Sequence, residues 1–492
     1  MNGTTGQVPG KAYAGKLLPD PAPPGAGAVV EVAPLRGPIQ GTLRVPSSKP
    51  DTQRALVTAA LAGGRSVIRN DLRCQETEVM KAGLRALGAG IREHDGWVEV
   101  TGAGGRLSAP AQVLRCAGSA LAFRTLLALA CGTGGPVILT GDAVLRRRVM
   151  APLFDALRGL GAALDCIGEE NLAPVVNWGR PLRGGRCVLP ADASSQFATA
   201  VLLAAPRAQG PVEITLDGVE GGVLSASYIR QTLDAMWRAG VDVEAGDSLG
   251  HMAVLPCDYQ PFECALGGDY TSASYLLALA ALFPGTLTLT NLEPDGAQGE
   301  RKMLDVVREL GVELRFEGDV CHVRNDGGGM RGDHLFDLGD APNILPTVAA
   351  MAAFVEGRCR IVGGRLTNHH KSPRILSITE ELRKAGVPVE PIYRGGELDG
   401  MEIRGRASYD GDVAFSSWGD HRIAMSLALA ALRMRQSSRV EGVDLVGTSY
   451  PGFFDALQEV GARCGILSER GVPAPEAAVA EDRESAAAAV AA

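Results

Sequence analysis

Two cations flank a helix start at Lys49-Pro50-Asp51-Thr52-Gln53-Arg54. The turn Pro46-Ser47-Ser48 precedes it, and Ala55-Leu56-Val57 opens an apolar run that reaches Leu61. Pro50 suits the first helical turn, where a missing N–H costs no hydrogen bond. The free N–H groups and dipole of a helix N-terminus already favour anions. With Lys49 and Arg54 added, the stretch predicts an anion-binding site. The bland alternative is a surface helix with solvated charges.

Such a site needs elements to position it, and these recur. A helix ending in a small-residue stop comes back at Gly88, Gly161, Gly240, Gly311, Gly386 and Gly461, at spacings of 73, 79, 71, 75 and 75 residues. Each Gly supplies the left-handed residue that closes a helix, and alternating segments such as Val312-Glu313-Leu314-Arg315 follow as strands. A second series runs in phase. Polar starts at residues 49–54, 118–124, 192–197, 269–275, 340–347 and 419–425 open helices that are apolar nearly all round, which marks them as buried. The unit is strand, buried helix, strand, outer helix, two strands, repeated six times. If the buried helices run parallel, their N-termini converge, and two three-repeat domains would enclose a cleft for small polyanions.

Composition narrows the classes. With 46% hydrophobic and 21% charged residues the 492-residue chain reads as a soluble globular protein of more than one core. A net charge of −8 argues against a nucleic-acid partner, so cationic patches must be local. Apolar runs are too short for a membrane span, and no charged-then-apolar leader opens the chain. The 10 Cys show no CxxC pair or metal-ligand spacing, which predicts reduced thiols in a cytoplasmic protein without a metal.

The motifs resemble those of the 5-enolpyruvylshikimate-3-phosphate synthases. They are Val45-Pro46 with Lys49 and Arg54-Ala55-Leu56, Leu139-Thr140-Gly141-Asp142 with Leu145-Arg146, Arg148 and Met150, and Asp192 with Ser194-Ser195-Gln196-Phe197. Ser225 with Tyr228-Ile229, Gly268-Asp269 with Ser272-Ala273-Ser274-Tyr275, Leu382-Arg383-Lys384 with Gly386, and Asp420-His421-Arg422 with Ala424-Met425 complete the set. The resemblance covers roughly residues 30–465. It implies a two-domain inside-out α/β barrel of six βαβαββ repeats with the cleft between domains. Residues 49–260 would form one three-repeat domain and residues 29–48 with 261–465 the other. Residues 1–28 would be a disordered extension and 466–492 a low-complexity tail.

The implied reaction is enolpyruvyl (carboxyvinyl) transfer from phosphoenolpyruvate to a hydroxyl of shikimate 3-phosphate or a relative, by a monomer without a cofactor. It needs a base for the hydroxyl, an acid for the methylene carbon and cations for carboxylate and phosphate. By the same resemblance Lys49 contacts both substrates and moves protons. Arg54, Ser194, Ser195, Ser225 and Tyr228 hold the acceptor, and Gln196 bridges to phosphoenolpyruvate. Arg124 and Arg148 bind phosphoenolpyruvate from the first domain, Arg374 and Arg422 from the second. The planar guanidinium fork suits carboxylate and phosphate.

The sequence departs from the family at the chemistry. The position of the family's basic Asp is Asn343, its Lys-Glu pair is His370-Lys371, its C-terminal Lys is Thr448, and the Ser after the first Lys is Pro50. Three readings follow. The same reaction runs with reassigned groups, with His369 or His370 titrating near neutrality or Asp340 serving nearby. Alternatively a diverged paralogue acts on a nucleotide or sugar, or eliminates from a shikimate-like acid. As a non-enzyme, the chain is an anion-binding sensor. Cys116, ahead of Arg124, reads as a small buried thiol rather than a reactive one.

Overall fold

The computed structural model describes residues 27–218 and 222–467. The expected 1–28 extension and 466–492 tail fall outside it except at their inner ends. There Ala28 packs on the core, and Cys464–Leu467 pairs antiparallel with Val29–Val32, so Ile466 and Leu467 belong to a strand.

Six inner helices carry the architecture: Lys49–Leu61, Ala120–Leu129, Ser195–Ala204, Tyr270–Leu282, Leu345–Ala352 and His421–Leu432. Every residue of Tyr270–Leu282 is buried, as an all-round apolar sequence requires. Truncating one such side chain, Leu276→Ala, would cost about 2–5 kcal/mol. Five inner helices have side-chain N-caps, Ser48, Ser119, Ser194, Asp269 and Asp420, each accepting a backbone N–H two or three residues on. The fifth helix opens instead through a 3₁₀ turn, Pro342–Ile344. The outer helices are amphipathic: Lys302–Glu309 buries Met303, Leu304, Val306 and Val307. The Gly that stops each outer helix has positive φ in all six repeats.

The strands make six four-stranded sheets, each with one parallel and two antiparallel pairings. Two hydrophobic cores result. One gathers residues between Ala55 and Leu266, the other residues of Val30–Val45 and of Tyr270–Cys464. Repeats one and four exchange their first strands: Ile39–Arg44 pairs with Gly285–Thr290, and Glu263–Ala265 pairs with Arg65–Arg69. In the sixth repeat Val29–Val32 takes the place of the last strand, between Ser438–Glu441 and Cys464–Leu467.

The chain therefore passes between the cores twice, at residues 45–49 and 267–269. The return lies beyond the expected boundary at 261 because Glu263–Ala265 stays with the first sheet. The two passages run side by side. Ser48 N donates to Gly267 O at 2.9 Å, Asp269 N to Pro46 O at 2.8 Å, and Lys49 N to Asp269 Oδ2 at 3.1 Å. Gly268 is required here, since a Cβ would overlap the Asn291 carbonyl oxygen.

Candidate active site

The helix starts of both cores face one cleft, and contacts cross it. Ser227 N donates to Asp340 Oδ1 at 2.8 Å, and the Tyr228 hydroxyl donates to Glu300 Oε1 at 2.6 Å. Lys371 Nζ lies 3.0 Å from Glu76 Oε1, whose other oxygen accepts from Lys49 Nζ at 2.9 Å. Lys49 is the first residue of its inner helix and Glu76 sits in the first turn of an outer one. The helix dipole favours the carboxylate there. Burial opposes the Glu76 charge, but Lys49 and Lys371 win and hold its carboxyl well below the usual range.

On the first core's side, Arg124 Nη1 donates to Ser194 Oγ at 2.9 Å and to Gln196 Oε1 at 2.7 Å. Its guanidinium lies 4.4 Å from the centre of the Phe197 ring. Burial, then the neighbouring Arg148, pushes Arg124 down to about 9. A buried cation set beside another cation favours an anion as counter-ion. Arg148 is lowered by burial as well, and its Nε has no partner among the described residues. Ser195 is half-buried, and Ser225 is buried in the left-handed region at φ 57°.

On the second core's side, Arg374 is the hub. Its Nε donates to Asp420 Oδ2 at 2.8 Å, and its Nη1 to Asn343 Oδ1 and His370 Nδ1, both at 2.9 Å. Arg374, helped by the Arg422 backbone N–H, keeps the Asp420 carboxyl far below its ordinary value against the effect of burial. Asp420 is thus a helix cap and the anchor of an arginine at once. Arg422 is buried, and its Nε has no partner among the described residues. His421 is 2% exposed, with neither ring nitrogen hydrogen-bonded among the described residues.

One of the residues singled out in the sequence behaves otherwise than expected. His370 does not titrate near neutrality: burial and the adjacent Arg374 hold it neutral far below that range, with Nδ1 occupied as an acceptor. His369 is exposed. Arg54, expected to touch the acceptor, turns its guanidinium toward the protein. It is buried and donates inward, to Thr232 Oγ1 at 2.9 Å, Tyr228 O at 2.8 Å, Pro50 O at 3.1 Å and Thr199 Oγ1 at 3.4 Å. Four of its five N–H groups are committed to the protein, which makes Arg54 the support of Tyr228. Thr448, at the position of the family's Lys, gives its hydroxyl to Leu445 O at 2.7 Å. Burial raises the Cys116 thiol to about 12 and leaves it inert, as its sequence context suggested.

Asn343 cannot take a proton, but it touches a group that can. Its Nδ2 donates to Glu300 Oε1 at 3.1 Å and to the Tyr228 hydroxyl. Burial raises the Glu300 carboxyl, so the Tyr228–Glu300 contact is a route by which a proton reaching the phenol can pass to a carboxylate. Glu76 and Glu300 were not recognised in the sequence, and the repeat could have found them. Glu76, Arg148, Tyr228, Glu300, Arg374 and Thr448 each stand eleven to thirteen residues before the Gly stop of their repeat. Outer-helix starts, like inner ones, are site positions. Among the described residues no cluster of three or more His, Cys, Asp or Glu could hold a metal ion, and no helix is long and apolar enough to cross a membrane.

Known proteins carry the same pattern. The sequence profile of EPSP synthase (3-phosphoshikimate 1-carboxyvinyltransferase) matches residues 35–457. A 3-phosphoshikimate 1-carboxyvinyltransferase of Methanothermobacter thermautotrophicus is 36% identical over 430 residues, covering 87% of this chain and 98% of that protein. One from Aeropyrum pernix is 36% identical over 435 residues, covering 88% and 96%. The EPSP synthase structure from Acinetobacter baumannii superposes with a TM-score of 0.74 at 23% identity, covering 90% of this chain and all of the other. That likeness establishes the two-domain fold.

Proposed function

The chain belongs to the EPSP synthase family, and we propose that it transfers the carboxyvinyl group of phosphoenolpyruvate to a hydroxyl of shikimate 3-phosphate, releasing phosphate. The observation that supports this most is the cationic lining of the cleft. Arg148 lies within electrostatic reach of Glu76 and Arg374, and the cations Lys371, Arg422 and Lys49 surround His421. Phosphoenolpyruvate carries a carboxylate and a phosphate, and planar guanidinium forks suit both.

In the reaction the methylene carbon takes a proton while the acceptor oxygen closes on the neighbouring carbon and gives up its own proton. The tetrahedral adduct then returns one methyl proton, loses phosphate and becomes the enol ether. Arg124, Arg148, Arg374, Arg422 and Lys49 hold phosphoenolpyruvate, and Gln196 lies between the two substrates. Ser194, Ser195, Ser225 and Tyr228 hold the acceptor, with Arg54 behind Tyr228. Glu300 receives the hydroxyl proton through Tyr228, because Asn343 has no basic atom. Lys371 and Lys49 are the proton donors on the methylene side. The enzyme works as a cytoplasmic monomer, and sizing chromatography checks the oligomeric state.

A second reading has a specific observation behind it. Pro50 and Asn343 both alter the acceptor side of the cleft, which favours a different anionic hydroxyl compound. Phosphate release from phosphoenolpyruvate across a panel of acceptors tests both. Release with shikimate 3-phosphate is expected. Release with another acceptor alone would select the second reading. Calorimetric binding of both ligands without release would leave a sensor, and binding of neither would overturn the proposal.

A further inference from the structure

Glu76 occupies a position that none of the reaction roles above explains. It belongs to the first core, as does Lys49, whereas Lys371 comes from the second and reaches it across the cleft. The three side chains are 10%, 13% and 17% exposed for Lys49, Glu76 and Lys371. Each carboxylate oxygen takes one ammonium, at 2.9 and 3.0 Å. Arg148 adds positive potential nearby. Without Glu76, two ammonium groups would face each other among further cations, and one would turn away or lose its proton.

We propose that Glu76 is a positioning residue that clasps Lys49 and Lys371 together across the cleft, so that two ammonium groups stand ready on the methylene side of phosphoenolpyruvate. This rests on the transferase reading above. It also accounts for a residue that otherwise reads as a lesion. Lys371 stands where the resemblance puts a Glu, and a Glu there would bring two carboxylates together. Lys371 and Glu76 are a matched pair, so restoring the family residue alone disables the site.

The test compares wild type, Lys371→Glu, Glu76→Gln, Lys371→Met, the Glu76→Gln/Lys371→Met double variant and the Glu76→Lys/Lys371→Glu exchange. Steady-state phosphate release and thermal melting are measured on each. Lys371→Glu is expected to lower kcat on the order of 10²-fold, with the KM for phosphoenolpyruvate changed far less. The exchange is expected to recover at least about tenfold of that loss. Glu76→Gln, close to isosteric, should lower kcat and shift its basic pH limit, which a merely structural role would not do. In melting, the Gln/Met double variant should lose less than the two single variants combined. Full activity of Lys371→Glu, or additive melting shifts, would overturn the role of Glu76 while leaving the transferase reading intact. A wild type without turnover would remove the transferase reading, and the melting cycle would still decide whether the clasp exists.

Discussion

Arg374 grips Asp420 with two nitrogens, Nε at 2.8 Å from Oδ2 and Nη2 at 3.4 Å from Oδ1, and both side chains are almost fully buried. The pair joins the first residue of the fifth outer helix to the cap of the sixth inner helix. It fixes the guanidinium whose Nη1 reaches Asn343 and His370.

Asp420→Asn keeps a capping side chain but leaves Arg374 as an unpaired buried charge. A loss of about 3–5 kcal/mol in chemical denaturation is expected, together with a raised KM for phosphoenolpyruvate. Denaturation midpoints and substrate titration check both effects.

Asn343→Asp restores the family residue yet places a second carboxylate beside Glu300, whose Oε1 the Asn343 amide now approaches at 3.1 Å. Like charges that close cannot both ionise freely. The single variant should therefore show no gain in kcat at pH 7, while Glu300→Gln alone should lose about 10²–10⁴ in kcat. Adding Asn343→Asp to Glu300→Gln should recover part of that loss. A single Asn343→Asp variant faster than wild type would argue against the Tyr228–Glu300 route.

Burial, with Lys371 and the other neighbouring cations, depresses His421 far below its ordinary value despite the attraction of Asp420. The unfolded chain then binds a proton that the native one refuses. The stability from neutral His421 is fully present above about pH 6.5 and declines as pH falls below it, by about 1.4 kcal/mol per pH unit. A His421→Gln variant should flatten that slope between about pH 6 and 5, as denaturation at stepped pH would show.

Cys116, raised to about 12 by burial, should resist thiol-directed alkylation in the native enzyme at pH 8. Peptide mapping should find the exposed Cys257 labelled first.

Much of this architecture is legible because it is local. A Gly stop, a Ser or Asp cap and an apolar period of 3.6 report on their own few residues, and Gly88 does in the structure what its context predicts. Pairings between distant segments leave no such trace. Nothing near Glu76 announces Lys371, 295 residues on, and nothing in Ile39–Arg44 says that its partner is the strand of the fourth repeat. Arg54 shows the reverse limit. Its family position is plain in the sequence, but the inward bonds to Thr199, Thr232 and Tyr228 depend on helices that meet only in the folded protein.

The exchanged first strands of repeats one and four bear on how the enzyme can move. Two chain passages lie hydrogen-bonded edge to edge at Ser47 and Gly268. A single linker would act as a ball joint, free to twist and slide. Two linkers bound side by side act as a door pin, which allows a swing about one axis and resists torsion and shear. The arginines and lysines of the two halves therefore meet in one register at each closure.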